Sequence, residues 1–444
     1  MRHLRSLLLA GVVLAGLLPA AAFASQARID ALGLQSDYVQ DYVNVIHYPS
    51  TIVRYQNLVY GDLGIKSTDG GDLSEFEDNA DTAFGLDNTG RSMGANLKLW
   101  KSMPGVFGIQ LNENATPLSA AYGAGYWNRN RNEGVNLLWG NDFGGITAGF
   151  QFNRTSASRE EGGASTEPLP IPPPGPLPDP ANSRAGMNAI NAALGSQPWN
   201  TTGFGGGVSF DWDASGRTHT ADLAIQYRSM SYELTEPSGA GTRTEDSDGA
   251  YGLAINARTQ YATSDNTYLV PVINYWSMNL DNRVKDDGDP TEDFAASNDV
   301  SGWSIGLAES WVLRESDLLT LGLNLGQQEV ELGDVRVYGD TYKATYSTMP
   351  QLFGSVEVHP TNWFHVRVGA SKAFSSKLEI EEAGTTTLEL TDAPFGYTLG
   401  TGFRIGGRLD LDAVINQDFA FTGAWAASGE QEQPFSRLSA TYRW

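Results

Sequence analysis

Ser436-Arg437-Leu438-Ser439-Ala440-Thr441-Tyr442-Arg443-Trp444 closes the sequence on nine residues of unbroken alternation. In an extended chain, Leu438, Ala440, Tyr442 and Trp444 share one face and Arg437, Ser439, Thr441 and Arg443 the other. The segment reads as a strand with one apolar and one polar side. The same period recurs upstream. Leu319, Leu321, Leu323 and Leu325 alternate with Thr320, Gly322, Asn324 and Gly326, and Tyr251, Leu253, Ile255 and Ala257 with Gly252, Ala254, Asn256 and Arg258. Phe364, Val366, Val368 and Ala370 oppose His365, Arg367 and Gly369, while Phe395, Tyr397, Leu399 and Phe403 share a face. Two segments are less clean, because 269–280 contains Pro271 and 303–313 contains Glu309.

Between the alternating segments, very short joints and long polar ones take turns. The short joints lie at 101–105, 141–144, 213–217, 263–266, 314–317, 359–362 and 405–408, and each is rich in Gly, Pro, Asn, Asp or Ser. The long ones span 67–91, 112–133, 156–200, 235–248, 281–299, 333–343, 375–393 and 420–433. This spacing predicts an all-β, antiparallel up-and-down β-barrel of about 16 strands beginning near Ile52, with 14 the next even number and Tyr122–Trp127 assigned to a loop. A closed sheet of that size leaves a hollow wide enough for water. The polar faces then line the lumen and the apolar faces meet hydrocarbon.

An alternating strand that stops on Trp444 resembles the terminal strand of Gram-negative outer-membrane β-barrels, the segment read by the barrel-assembly machinery. That resemblance assigns Leu438, Ala440, Tyr442 and Trp444 to an assembly signal, and implies outer-membrane lipid and lipopolysaccharide as surroundings. The opening of the sequence agrees. Arg2, His3 and Arg5 precede the apolar run 7–18 and the small-x-small site Ala22-Phe23-Ala24, which predicts a signal peptide over 1–24. Its removal takes Arg2 and Arg5, and the formal charge moves from −23 to −25. Beyond it no apolar run is long enough for a transmembrane helix. The sequence has no Cys, which excludes disulfides, thiol catalysis and a lipoprotein anchor. Fifty Gly and 11% aromatic residues suit close strand packing and interfacial rings.

The wet faces of the strands supply pore-lining candidates: Asp222, Gln226, Arg228, Asn256, Arg258, Gln260, His365, Arg367, Asp410 and Asp412, with Gln151 and Asn153. Opposed acids and bases across an aqueous bore set a transverse field and bias ion selectivity. The architecture resembles 16-stranded porins, whose third outer loop narrows the bore. The third long connection here, 156–200, carries eight prolines from Pro168 to Pro180 and then a helix-like stretch 187–194. Its likeness to the porin constriction is one of position only, and a surface strip remains the alternative. The loops 67–91 and 281–299 are strongly acidic; they concentrate cations, disfavour nucleic acid and could hold divalent ions through carboxylate oxygens.

Residues 25–51 precede the barrel assigned to 52–444 and read as a periplasmic or lumenal segment that could plug the bore. Around Tyr48-Pro49-Ser50 this segment is similar to the hatch of long-chain fatty-acid transporters, although the Asn and Ala of that family's Asn-Pro-Ala motif are missing. No cofactor motif, nucleophile elbow or paired-histidine metal motif is present, so no enzyme is expected. The leading expectation is a porin-like, cation-favouring channel for passive diffusion of small hydrophilic solutes, as a monomer or homo-oligomer. Two alternatives stand beside it: a gated transporter of hydrophobic molecules with an N-terminal plug, and a surface scaffold with a closed bore.

Overall fold

A computed structural model describes residues 25–34, 36–64, 91–99, 104–159, 200–238, 241–288, 294–314, 317–332, 342–382, 385–393, 395–415 and 435–444, apart from 114–129. The signal peptide 1–24, the Pro-rich stretch 160–199, Tyr122–Trp127 and nearly all of the acidic loop 67–91 lie outside the described residues.

The wall runs through β1 (Leu58–Gly64), β2 (Arg91–Leu97), β3 (Val106–Glu113), β4 (Asn130–Asp142), β5 (Ile146–Arg159), β6 (Asn200–Ala214) and β7 (Arg217–Ser231). A hairpin of β8 (Glu233–Ser238) and β9 (Gly241–Ser247) leads to β10 (Tyr251–Ser264) and β11 (Thr267–Asn279). The short β12 (Asn282–Asp286) and β13 (Phe294–Ala296) precede β14 (Asn298–Val312), β15 (Leu318–Leu332) and β16 (Tyr342–Thr361). β17 (Phe364–Ala373) and β18 (Ser376–Glu382) both pair with β16 and act as one stave. β19 (Thr385–Asp392) and β20 (Phe395–Ile405) form the next, followed by β21 (Leu409–Ile415) and β22 (Phe435–Arg443). β22 pairs antiparallel with β1, from Leu58 opposite Arg443 to Gly64 opposite Arg437, and closes a barrel of 16 staves.

The five short joints that are fully described, 141–144, 213–217, 263–266, 359–362 and 405–408, are tight turns. Their backbones explain their composition: Ser215, Gly216, Gly144, Gly145, Gly406 and Gly407 all have positive φ, a region closed to most side chains. Three long connections are more ordered than their polarity suggests. β18 and β19 extend the wall, with Leu378 opposite Leu390 and Ile380 opposite Leu388, so the period of two persists under the charged residues. β8, β9, β12 and β13 make a separate four-stranded sheet beyond the wall, tied by an Arg283–Asp248 ion pair of 2.5 Å.

The outer surface is apolar. Leu321 and Leu323 are 49% and 39% exposed, and Ile225, Ile273, Tyr275, Ile305 and Phe204 are exposed likewise. The two irregular segments are full staves, with Pro271 opposite Leu307 and Glu309 set between Leu269 and Leu321. Glu309 lies three residues from the short-turn end of β14, within reach of the interface. One boundary shifts. The wall begins at Leu58 rather than Ile52, because Pro49–Tyr55 is a 3-10 turn whose Ile52 is fully buried with Tyr42, Val45 and Leu138.

Candidate functional site: the N-terminal segment in the lumen

Polar residues that alternate with the exposed apolar ones point inward. In a water-filled bore they would be solvated, yet Asp222, Arg258, Arg367 and Asp412 are each only 3–4% exposed. What covers them is the segment before β1. Ser25 caps a short helix, Gln26–Leu32, by accepting from the Arg28 N–H, and Gly33 ends it at φ 57°. Three 3-10 turns follow, Ser36–Tyr38, Tyr42–Val45 and Pro49–Tyr55, the second capped by Asp41.

Two clusters of charge hold this segment to the wall. At the helix, Ser25 Oγ donates to Asp412 Oδ2 at 2.7 Å, and Arg367 joins Asp412 Oδ1 (2.6 Å) to Glu357 Oε1 (2.9 Å). The second Glu357 oxygen accepts from Arg28 Nε at 2.8 Å and from Arg28 Nη2. Such charges survive burial because each is paired and hydrogen-bonded. Glu357 outweighs the burial that would lower the Arg28 pKa and holds it above its ordinary value. Around the 3-10 turns, Arg258 pairs with Asp222 at 2.8 Å, donates to the carbonyls of Asp37 and Val39 at 3.1 Å, and lies 4.5 Å above the Tyr48 ring. Asn274 donates to Asp37 Oδ2 at 3.0 Å, Gln226 to the Ile46 carbonyl at 2.6 Å, and Ser50 and Ser209 share a bond of 2.6 Å. Burial pushes the Asp37 carboxyl up, but His47, Arg258 and Asn274 together bring it below the ordinary range.

Apolar contacts and close approach complete the fit. Ile29, Leu32, Leu34, Tyr38 and Val39 pack on Val270, Val272, Ala308 and Phe353. A Cβ on Gly369 would strike the Leu32 carbonyl, and one on Gly149 the Pro49 backbone, so the wall needs glycine where the segment touches it. Asp41 is the strained member. It is fully buried, with Arg28 Nη1 3.9 Å away and, among the described residues, no hydrogen-bond partner on Oδ2. Burial pushes its carboxyl up to about 7, against the attraction of Arg28 and helped by Asp412 and Asp62.

The sequence-derived candidates therefore divide. Asp222, Gln226, Arg258, Arg367 and Asp412 hold the segment or its partners. Asp410 instead accepts from Arg404 at 2.7 Å. Asn256 is buried, and Arg228 and Gln260 are half-buried on the same inner face. Gln151 and Asn153 are buried, Asn153 in an amide row with Gln110, Asn136 and Thr201. His365 is buried, with neither ring nitrogen bonded among the described residues. Leu438, Tyr442 and Trp444 lie exposed on the outer face of the closing strand and its end, with Ala440 half-buried between them. Sequence reasoning missed Arg28, Asp37 and Glu357. For Glu357 a signal existed: Ser355 and Glu357 alternate with Val356 and Val358, which places the carboxylate on the wet face.

A closed wall, greasy without and polar within, decides the class. This chain is a closed, all-β barrel of 16 staves with the apolar exterior of a membrane-spanning wall. No protein-family model matches it, and no curated protein sequence matches it. Solved structures with similar sheets include the ferric yersiniabactin uptake receptor FyuA of Yersinia pestis: 11% identity over 80% of this chain and 53% of that one, TM-score 0.40. The siderophore receptor PiuA of Acinetobacter baumannii is 10% identical over 69% and 53%, with a TM-score of 0.37. The Pseudomonas putida toluene transporter TodX is 9% identical over 94% of this chain and 96% of its own, with a TM-score of 0.38. This chain spans about half the length of FyuA and PiuA. At these scores the likeness is one of barrel architecture, and no function is drawn from it.

Proposed function

We propose that this barrel is a gated outer-membrane transporter in which residues 25–57 close the bore until they are displaced. The observation that carries the reading is the Arg28–Glu357–Arg367–Asp412 cluster, in which charges of the wall are spent on holding the segment instead of facing solvent. Passive diffusion of small hydrophilic solutes would leave those side chains wet, and their burial weighs against it.

The cargo side of the proposal rests on what lies beyond the segment toward the long loops. There the inner face changes character: Met230, Trp276, Met278, Val300 and Val330 are buried and apolar, with Met278 beside Val300 and Val300 beside Val330 in register. These side chains are 7% exposed or less, and once uncovered a wall with so few polar groups would suit an apolar molecule. Single-channel recording in planar bilayers tests the gate. The full-length mature chain should be silent, and deletion of residues 26–56 should give a steady conductance. A steady conductance in the intact chain would return the function to a passive pore, and silence after the deletion would favour a scaffold.

A further inference from the structure

We propose that Glu357, His359 and His365 form a binding site for a divalent transition-metal ion at the short-turn end of the lumen. The proposal concerns binding alone and does not depend on the gating reading, although the two share Glu357. Among the described residues these three form a group whose candidate ligand atoms all lie within 4.8 Å of one another. They come together because β16 and β17 meet at the turn 361–364, which sets His359 beside His365 on the inner face, next to the Glu357–Arg367 pair. The two imidazole rings are 4.1 Å apart and 75° from parallel, so two nitrogen lone pairs can converge on one ion.

Two further observations point to a ligand. His365 is 3% exposed, and among the described residues neither of its nitrogens has a hydrogen-bond partner, an expensive condition for a buried polar ring. His359 has the support that metal-ligating histidines commonly carry: its Nδ1 lies 3.3 Å from Asp317 Oδ1, and the same oxygen accepts its backbone N–H at 2.8 Å. A carboxylate on Nδ1 holds the proton there and leaves the Nε2 lone pair for an ion.

Two imidazoles and one carboxylate, with a fourth position open to water, suit zinc, cobalt, nickel or copper better than calcium or magnesium, which take oxygen cages. Tetrahedral zinc sets neighbouring ligand atoms about 3.3 Å apart, so the rings must swing inward by about 1 Å. Arg28 and Arg367 already hold both oxygens of Glu357. An entering cation competes with them, and binding is correspondingly weaker than at a dedicated structural zinc centre.

The test is titration of the untagged, detergent-solubilised mature barrel with Co²⁺, read by visible ligand-field absorption and by metal analysis after dialysis. One ion per chain is expected, with bands characteristic of imidazole-bound cobalt that Zn²⁺ abolishes and Ca²⁺ does not. His359→Ala and His365→Ala should each weaken binding by about tenfold or more, as loss of even supporting groups does at metal sites. His219→Gln should leave it unchanged, because His219 lies elsewhere on the wall, stacked between Trp212 and Tyr261. Far-UV circular dichroism confirms that each variant keeps its sheet. Absence of cobalt bands in the folded wild type overturns the site, as does equal loss in all three variants.

Discussion

Asp41 is a carboxyl whose burial is incompletely compensated, and its titration has a sign. Its pKa is pushed up to about 7 in the docked segment, whereas a solvated aspartate titrates near 3.9. The docked form thus keeps a proton that a released form gives up. Docking is at full strength below about pH 4, weakens as the pH rises through the interval up to about 7, and is level above it. Closed-state lifetimes should shorten across that interval, and Asp41→Asn should flatten the profile. Lifetimes that lengthen with pH would contradict the assignment. Arg28→Ala acts at the other charge. Removing one partner of a buried pair costs about 3 kcal/mol, and Glu357 keeps only Arg367. Protease access to Gln26–Leu32 should rise accordingly while heat resistance of the wall holds. Neither residue is legible as a contact in the sequence, since Arg28 and Glu357 are 329 positions apart and nothing local marks them as partners.

At the level of the element, alternation carried the strands but not the joints above them. Leu438 and Tyr442, Leu321 and Leu323, and the face shared by Phe364 and Val368 read correctly because a period of two has one geometric meaning. β18 and β19 were masked as loop by Lys377, Glu379, Glu381 and the threonines 385–387, although Leu378, Ile380, Leu388 and Leu390 keep the period. The start of the wall was misplaced because Ile52 is apolar for a different reason, burial inside the bore. Two substitutions test the two faces. Leu323→Arg places a charge against hydrocarbon and should cost about 2–4 kcal/mol if it sits near the midplane, read from urea midpoints in lipid vesicles. Gly369→Val faces inward and collides with Leu32. It should release the helix Gln26–Leu32 and raise conductance with little change in the urea midpoint; an unaltered closed state would show that the contact yields.

For the whole molecule, the barrel class was legible and the content of the bore was not. The spacing of seven short joints leads directly to 16 staves. Nothing in Asp222, Arg258 or Arg367 says whether water or protein faces them, because either neighbour demands the same polar residues. The histidines illustrate the same limit: His359 and His365 are six residues apart, a spacing with no recognised motif, and only the hairpin turn makes them neighbours.

The closing strand has a double attachment. Its inner side holds the helix Gln26–Leu32 through Arg437 to Asp30 at 2.7 Å and through Ser439 to the Ala27 N–H at 3.1 Å, while its edge zips to β1 along seven residue pairs. The seam that closes the wall is therefore also one of the places where the inner helix is held. A cylinder lacking β22 would lose both the closure of its wall and two of the ties on its inner helix, leaving Ser25 and Arg28 to hold that end to Asp412 and Glu357.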